Sequence, residues 1–377
     1  MNKVQYVIAP SLAFMYQKSV KPVLFRYDPE NVHDCITALS RMTGENPITR
    51  GAVKTAMAYN SPLLEQDIKG VHFSNPIGLS AGFDKNALLT DFIPALGFGF
   101  MEIGSITGEP CKGNDKPRLQ RLPKSKSILV YYGLRNDGAN AISARLKNKN
   151  FKLPIGTNIA KTNSRAACDD KVGVADYVKA FKAFKEIGSY FTVNISCPNT
   201  YGGQPFHDAR RLDALLTALD SVVTKKPVFV KLSPDLPDDQ IDAIINVASR
   251  HRVDGFICSN LTKNRDNSNI KDINLNDAGG LSGKVVEELS NQMIAKMFQK
   301  TDGKYVIIGV GGVFTAEDAY RKIRLGASLV ELITGMIYLG PQAIGQINRG
   351  LVKLLKRDGF ENISEAVGVD NPIRSRV

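Results

Sequence analysis

From about residue 77 onward, short apolar, β-branched runs alternate with segments of helical periodicity. Most of the runs are apolar at consecutive positions, which is typical of strands buried on both faces of a parallel sheet. Between the runs, apolar residues recur at helical spacing, as Ile241, Ile244, Ile245 and Ala248 do. Eight such runs occupy residues 77–81, 100–105, 155–159, 191–196, 228–232, 255–259, 306–310 and 329–333. The pattern therefore predicts an α/β fold, a closed (β/α)8 TIM barrel.

Polar residues and glycines stand at the ends of these runs, as in SAGFDK, NISCPN and GVGG. The carboxyl ends of the strands of such a barrel meet at one face, and active sites lie there. The segment from Thr107 to Leu153 is too long for one connection between strand and helix. It predicts a small β excursion over the barrel mouth around Arg118 to Leu122, followed by a helix near Ala139 to Leu146.

Residues 1–50 predict a separate helical module ahead of a catalytic barrel of residues 51–377. Asp28, Pro29 and Glu30 have the pattern of an N-cap, a first-turn proline and a first-turn acid, and the apolar stripe that follows ends near Gly44. Further apolar residues lie upstream at Leu12, Phe14, Met15, Val20, Val23, Leu24 and Phe25. Packing against the core and contact with a membrane or a lipophilic substrate explain them equally well.

The N-terminal stretch without charged residues, Val4 to Gln17, is too short to cross a bilayer as a helix and has no convincing cleavage pattern. We therefore expect a segment that lies on a membrane instead of crossing it. The net charge of +12 is spread along the chain among acidic residues, which predicts no nucleic-acid interface but favours an anionic membrane or substrate. The five cysteines are scattered, which predicts no disulfide framework, no metal site and a reducing, cytosolic environment.

The most informative stretch is Asn194–Thr200, which places the Cys197 thiol between two carboxamides at the end of the fourth run. Asparagine side chains donate and accept hydrogen bonds, which suits the imide-like edges of a pyrimidine or a flavin. A thiol, with an ordinary pKa of ~8.5, can act as a base if the site lowers that pKa. Taken alone, such a cysteine is more often an inert buried residue.

Eight motifs in order, across residues 11–371, resemble those of class 2 dihydroorotate dehydrogenases, the quinone-linked and membrane-associated class. They are AGFDK at 81–85, EIGSIT at 102–107, NISCPNT at 194–200, VKLSPDL around Lys231, SN at 259–260, GGLSGK at 279–284, GVGG at 309–312 and GASLVELITG at 326–335. A single motif of this kind carries little weight, but the ordered series is specific.

The resemblance implies oxidation of (S)-dihydroorotate to orotate with bound FMN and a quinone acceptor, in de novo pyrimidine (UMP) biosynthesis. It places the base that removes the carbon 5 proton at Cys197, and it implies peripheral association of residues 1–50 with the cytoplasmic face of a membrane. Its FMN residues correspond to Ala81, Gly82, Lys85, Ser105, Asn158, Asn194, Lys231, Ser259, Ser282, Gly283, Gly311, Gly312, Thr334 and Gly335. Its substrate residues correspond to Lys85, Gly133, Leu134, Asn194, Asn199 and Asn260.

Several of these positions have an ordinary structural interpretation as well. Lys85 and Lys231 would face the flavin, where a fixed positive charge stabilises the reduced ring, or they are surface charges. The pair Gly311 and Gly312 fits the phosphate site of a barrel, or it is a tight turn.

The sequence departs from the class pattern at Cys197, where the membrane-associated class ordinarily has serine and cysteine is typical of the soluble class. Val130 replaces an asparagine expected to bind the pyrimidine, and an unpaired polar edge there costs roughly 1–3 kcal/mol. Arg135 replaces another asparagine and can bind a carboxylate bidentately. Leu261 and Ile333 replace a threonine and an aromatic residue.

These departures leave alternatives open. A soluble-type enzyme that uses fumarate or another small acceptor is one alternative, and a divergent enzyme acting on another dihydropyrimidine is a second. A flavin-binding protein without catalytic activity is the third. A nicotinamide-dependent enzyme is disfavoured, because the GxG-type glycines come late in the chain, at Gly309.

Overall fold

The computed structural model describes the backbone of residues 3–372 and the side chains of residues 9–372, so the side chains of Val4 to Ile8 lie outside the described part. Its strands are β1 (Gln66–Ile68), β2 (Val71–Phe73), β3 (Ile77–Leu79), β4 (Phe100–Ile106), β5 (Leu119–Leu122), β6 (Ser127–Val130), β7 (Ile155–Ile159), β8 (Tyr190–Asn194), β9 (Val228–Leu232), β10 (Gly255–Cys258), β11 (Gly280–Gly283), β12 (Val306–Val310) and β13 (Leu329–Leu332).

Eight of these strands close into a parallel barrel in the order β3, β4, β7, β8, β9, β10, β12 and β13. They coincide with the eight predicted runs, so the predicted TIM barrel is confirmed. The paired strands keep a regular parallel register, with Asn194 opposite Lys231 on β8 and β9, for example. Their carboxyl ends therefore place the predicted site residues around one opening.

Helices surround the barrel and precede it. They are α1 (Lys3–Met15), α2 (Lys21–Leu24), α3 (Pro29–Glu45), α4 (Pro47–Met57), α5 (Ala139–Leu146), α6 (Asp170–Ala183), α7 (Ala209–Asp220), α8 (Asp238–Ala248), α9 (Glu287–Lys300), α10 (Ala316–Arg324), α11 (Thr334–Leu339) and α12 (Ala343–Asp358). The inner faces of these helices bury apolar side chains against the strands, as Ile241 and Ile244 of α8 do.

Two smaller sheets close the two ends of the barrel. The hairpin of β1 and β2 packs Phe73 against Phe100 and Tyr190, at the starts of the barrel strands. At the opposite end, β6 pairs with β5 and with β11 in a three-stranded antiparallel sheet. This sheet includes the β excursion predicted around Arg118 to Leu122, and α5 matches the predicted helix. The hairpin was not predicted, because strands of three residues leave almost no periodicity in a sequence.

The N-terminal helices lie beside the mouth of the barrel. Asp28 caps α3, since its carboxylate accepts from Glu30 N at 3.0 Å and Asn31 N at 2.9 Å, as the sequence predicted. The helices continue through α4, so residue 50, the predicted boundary, falls inside a helix that runs to Met57. Within residues 3–372, the structure has no helix of sufficient length and apolarity to cross a membrane.

Glu30 anchors this module to the loops over the mouth. It is only 2% exposed, and its Oε1 lies 3.0 Å from Nη1 of Arg118 and 2.9 Å from Nη1 of Arg135. Lys116 Nζ approaches the other oxygen at 3.8 Å. Arg135 therefore does bind a carboxylate, but the carboxylate belongs to the protein and a single guanidinium nitrogen makes the close contact, which corrects the bidentate geometry expected from the sequence.

We expect Glu30→Ala to lower the free energy of unfolding by about 3–5 kcal/mol, because its removal leaves the mostly buried charge of Arg118 without compensation. Glu45→Ala is the matched control. Its exposed pair with Arg41 is worth less than about 1 kcal/mol. Chemical denaturation of both variants checks the prediction, and equal losses for the two would contradict it.

Candidate active site

A cleft of about 1300 Å³, counting its open mouth, lies between the carboxyl ends of the barrel strands and the sheet of β5, β6 and β11. Among the residues predicted for the cofactor or the substrate, all but Asn158 line this cleft. Asn158 is fully buried behind Ser105, whose hydroxyl donates to its Oδ1. The structure thus brings the predicted residues together, while their roles toward a ligand remain predictions.

One end of the cleft is a pocket of backbone groups. Gly311 and Gly312 follow β12 with φ of 122° and 75°, and a Cβ on Gly312 would lie 2.3 Å from that of Glu287. Thr334 begins α11 beside them, and its hydroxyl lies 2.9 Å from that of Ser282. Glycines in this conformation allow N–H groups to approach an anion closely, so this end suits a phosphate.

Lys85 faces the middle of the cleft from the loop after β3. Its Nζ is buried, donates no hydrogen bond to any of the described residues and lies 4.1 Å from the ring centroid of Tyr132. Burial lowers the pKa of Lys85 to about 8. His33 of α3 packs against the same tyrosine, and burial together with the Lys85 charge lowers its pKa to about 4, so His33 is neutral.

Lys231 forms the floor of the cleft from inside the barrel. It lies within β9 and donates to Ser80 Oγ at 3.1 Å, so it is not the surface charge that the sequence left open. Two carboxylates, Glu102 of β4 and Glu331 of β13, flank its ammonium at 3.5 Å and 3.7 Å. Sequence reasoning did not select either glutamate. A single acid inside each otherwise apolar run, FMEIGSI and LVEL, was the available signal.

Three carboxamides converge on one wall. Asn194 Nδ2 donates to Ser105 Oγ at 2.9 Å, and Asn199 Nδ2 donates to the Val130 carbonyl at 2.8 Å. Asn260 Nδ2 lies 3.4 Å from Asn194 Oδ1. Because these hydrogen bonds hold the side chains in place, the wall presents fixed donors and acceptors to a planar ligand.

Cys197 follows this wall and lines the cleft. It also lines a smaller cavity of about 230 Å³ toward Lys161 and Thr200. Burial raises the pKa of the Cys197 thiol to about 11, although a backbone hydrogen bond and the Lys161 charge act in the opposite direction. The site therefore does not lower the pKa of this thiol, and Cys197 carries its proton at rest.

The departures from the class pattern also lie on the cleft wall. Val130, Leu261 and Ile333 all line it, so the wall is more apolar at Val130 and Leu261 than the class pattern implies, and aliphatic instead of aromatic at Ile333. The backbone of Val130 is engaged by Asn199, while its side chain offers no hydrogen bond. A polar edge of a ligand beside Val130 therefore needs a hydrogen-bond partner from another residue.

We expect the pH dependence of proton abstraction by Cys197, the base predicted from the sequence, to have two phases. Below about pH 8 the thiolate fraction of Cys197, and with it the rate, rises tenfold per pH unit, because the pKa of the thiol is about 11. Above about pH 8 the rate levels off, because Lys85 loses its charge as the thiolate fraction grows. Single-turnover rates from pH 6 to 10 check this profile. In Lys85→Arg, which keeps its charge, the rise should continue beyond pH 8, and a plateau at the same pH would contradict this assignment.

The fold and the site define the class of this protein. A closed parallel barrel with a glycine-lined pocket, two lysines and a thiol beside three carboxamides is the arrangement expected of a barrel enzyme with a phosphate-bearing cofactor.

Similar proteins identify the family. The family model described as dihydroorotate dehydrogenase matches residues 63–355. A protein of Roseiflexus sp. (strain RS-1) named dihydroorotate dehydrogenase (quinone) is 38% identical over 355 residues, which cover 93% of this chain and 97% of that protein. A protein of the same name from Natronomonas pharaonis is 41% identical over 351 residues, covering 93% and 98%. The crystal structure of DHODH in complex with ferulenol from Eimeria tenella matches with a TM-score of 0.82 at 31% identity, covering 91% of this chain and 96% of that one. The chain belongs to the dihydroorotate dehydrogenase family.

Proposed function

We propose that this chain catalyses the FMN-dependent oxidation of (S)-dihydroorotate to orotate, with a quinone as electron acceptor, in de novo pyrimidine (UMP) biosynthesis. The observation that carries the proposal is the single cleft in which Cys197, three carboxamides and two lysines meet beside an anion pocket. Relatives named dihydroorotate dehydrogenase (quinone), similar over more than nine tenths of the chain, support it.

The residues of the cleft fit FMN. The pocket at Gly311 and Gly312 suits its phosphate. Lys85 lines the space beside it, and its buried Nζ has no hydrogen-bond partner within residues 9–372. Lys231 and Ser105 line the floor, where they suit the polar edge of the ring system. When bound, FMN supplies the acceptor for the two electrons and the hydrogen that leave carbon 6 of the substrate as hydride.

The chain's own residues then have two tasks. Asn194, Asn199 and Asn260 orient the pyrimidine ring, and Cys197 accepts the proton from carbon 5. Loss of that proton and of the hydride forms the double bond between carbons 5 and 6. Because the thiol is protonated at rest, the thiolate has to form before it can act as this base.

Val130 and Leu261 favour a second candidate substrate, a dihydropyrimidine without a polar group at that edge. We expect Val130→Asn to bind orotate about 5- to 150-fold more tightly, because the new amide pairs a polar edge otherwise left unsatisfied at roughly 1–3 kcal/mol. Titration of the flavin spectrum with orotate measures the affinity. An unchanged affinity would show that the polar edge lies elsewhere, and tighter binding of an edge-lacking dihydropyrimidine by the wild type would favour the second candidate.

An apolar layer supports quinone access through the N-terminal module. Phe25 packs edge-on against Tyr338 at 5.3 Å between ring centroids, in one cluster with Ile128, Val130 and Ile337, which line the cleft. The Tyr16 hydroxyl donates to the Ile337 carbonyl at 2.6 Å, which ties the module to this layer. Apolar side chains thus lead from the surface of the module to the cleft.

Exposed apolar side chains support peripheral membrane contact by the same module. Six of them are between 50% and 81% exposed, namely Phe14, Met15, Val23, Leu39, Met42 and Ile48. Lys18, Arg26 and Arg41 are exposed among them and suit an anionic lipid surface. We place this contact on the cytoplasmic face of the membrane, in keeping with five free cysteines.

The test of the proposed function separates its two half-reactions. In a chain that begins at Asp28, dihydroorotate should reduce the flavin at the wild-type rate, while a long-chain quinone should reoxidise it more than about tenfold more slowly, because the route loses Tyr16 and Phe25. Glu30 and the capped α3 remain in that chain. Equal loss of both half-reactions would contradict the assigned route, and a flavin that dihydroorotate leaves oxidised in the wild type would contradict the function.

Membrane contact has a separate test. Ile48→Ser should weaken flotation with anionic vesicles, whereas Val223→Ser, at an apolar residue similarly exposed on the barrel, should not. Equal flotation of both variants and the wild type would contradict contact through this face.

A further inference from the structure

Three buried ionisable side chains form the floor of the cleft, and the proposed reaction assigns no role to two of them. Glu102 and Glu331 are both 0% exposed, and Lys231 between them is 3% exposed. Lys231 Nζ lies 3.5 Å from Glu102 Oε2 and 3.7 Å from Glu331 Oε2. Two carboxylates thus share a single ammonium group below the cavity.

The two carboxylates have very different partners. Glu102 accepts hydrogen bonds from Asn158 Nδ2 at 3.1 Å and from the Thr192 hydroxyl. Neither oxygen of Glu331 has a hydrogen bond of normal length among the described residues, and its nearest donors, Lys231 and Ser80, make only weaker contacts. An ionised carboxylate without strong hydrogen bonds is costly to bury, so Glu102 carries the negative charge of this cluster and Glu331 carries a proton.

The groups that face Glu331 agree with that assignment. Burial and the Glu102 charge raise its pKa to about 8, while Lys231 and Ser80 act in the opposite direction. Tyr190, which is buried beside both carboxylates, stays protonated because burial and the two acids raise its pKa. At neutral pH Glu331 is therefore protonated, whereas the hydrogen bonds from Asn158 and Thr192 stabilise negative charge on Glu102.

We propose that Glu331 is a redox-linked proton site, which binds a proton more tightly when reduction adds negative charge to the cofactor above Lys231. This inference rests on the proposed function. Oxidation of dihydroorotate releases two electrons and two protons, one of which travels with the electrons as hydride. The second leaves carbon 5 through Cys197 and is released. Above about pH 8, where Glu331 is largely ionised before reduction, it takes up a proton in exchange and returns it when a quinone takes up two electrons and two protons.

The proposal predicts a specific pH dependence of the cofactor's midpoint potential. For a two-electron couple, each linked proton lowers the potential by about 30 mV per pH unit. Glutamine has the shape and neutrality of protonated Glu331, so Glu331→Gln and the wild type should have similar potentials below about pH 8. Above that pH the midpoint potential of the wild type should fall below that of the variant by about 30 mV for each further pH unit. The difference should stop growing at the pH where Glu331 also loses its proton in the reduced protein.

The experiment is a potentiometric titration of both holoenzymes from pH 6 to 10, with a chemical reductant and redox dyes. Lys85 also titrates near pH 8, but it is present in both proteins and cancels in the difference. A difference that stays constant across this range would overturn the proposal. Since neither dihydroorotate nor quinone is used, failure of the proposed function would leave this result unaffected.

A second measurement needs no variant and covers the case in which Glu331→Gln loses its cofactor. The reduced-minus-oxidised infrared difference spectrum of the wild type at pH 9 should gain a protonated-carboxyl band, because Glu331 is mostly ionised before reduction at that pH. A spectrum without this gain would overturn the proposal.

Discussion

Cys197→Ala should slow the reduction of bound flavin by dihydroorotate by about 10²–10⁴-fold. The reason is that Cys197, which lines the cleft beside the carboxamide wall, is the proposed base, and alanine cannot accept the carbon 5 proton. Anaerobic stopped-flow absorbance of the flavin measures the rate. The visible spectrum of the oxidised variant should match that of the wild type, because the phosphate pocket and the lysines are untouched.

Cys35→Ala is the matched control for removal of a thiol. Cys35 is exposed on α3, away from the cleft wall, so this variant should react at the wild-type rate. If Cys197→Ala also reacts at that rate, a different group accepts the proton and the assignment of the base is wrong.

Lys85→Met should slow the same reaction by about 10²–10³-fold, because a preorganised positive charge is lost at the place where negative charge develops. Its Nζ makes no hydrogen bond with the described residues, so the thermal unfolding midpoint should not fall. A slow reaction in a protein of unchanged stability separates an electrostatic role from a structural one.

Lys69→Met provides the control for this second experiment. Lys69 lies in the turn between β1 and β2, at the far end of the barrel, and pairs with Asp254 at 3.5 Å. Its removal should leave flavin reduction unchanged. A wild-type rate for Lys85→Met would contradict the role assigned to its charge.

Much of the barrel could be predicted because strands buried on both faces are apolar at consecutive positions in the sequence. Each of the eight apolar runs became a strand, and Asp28 capped the helix that it was expected to cap. The strand β11 could not be predicted in this way. It pairs with β6, which lies about 150 positions earlier in the chain, and its sequence, Gly280–Gly283, has no strand periodicity.

The sequence predicted most of the residues that line the candidate site, but it did not predict their contacts and protonation states. The glycines, lysines and carboxamides were recognisable from motifs at strand ends, and they meet in one cleft. Asn158 lies behind Ser105 and does not line the cleft, and the Arg135 side chain pairs with Glu30. The direction of each side chain depends on tertiary packing, which a sequence motif does not specify. Glu102 and Glu331 were not predicted as site residues although both lie within quoted motifs, because the lysine that pairs with them comes from a different part of the chain.

The sequence alone determined which residues form the strands and which stand at their carboxyl ends, because these depend on local spacing along the chain. Only the tertiary structure decided the charges in the site. The thiol of Cys197 keeps its proton, and Glu331 holds a second one, because burial and neighbouring charges from distant parts of the chain set those equilibria. Glu102 and Glu331 are more than two hundred positions apart in sequence, yet they flank the same ammonium group. A local sequence pattern cannot predict contacts between residues so far apart in the chain.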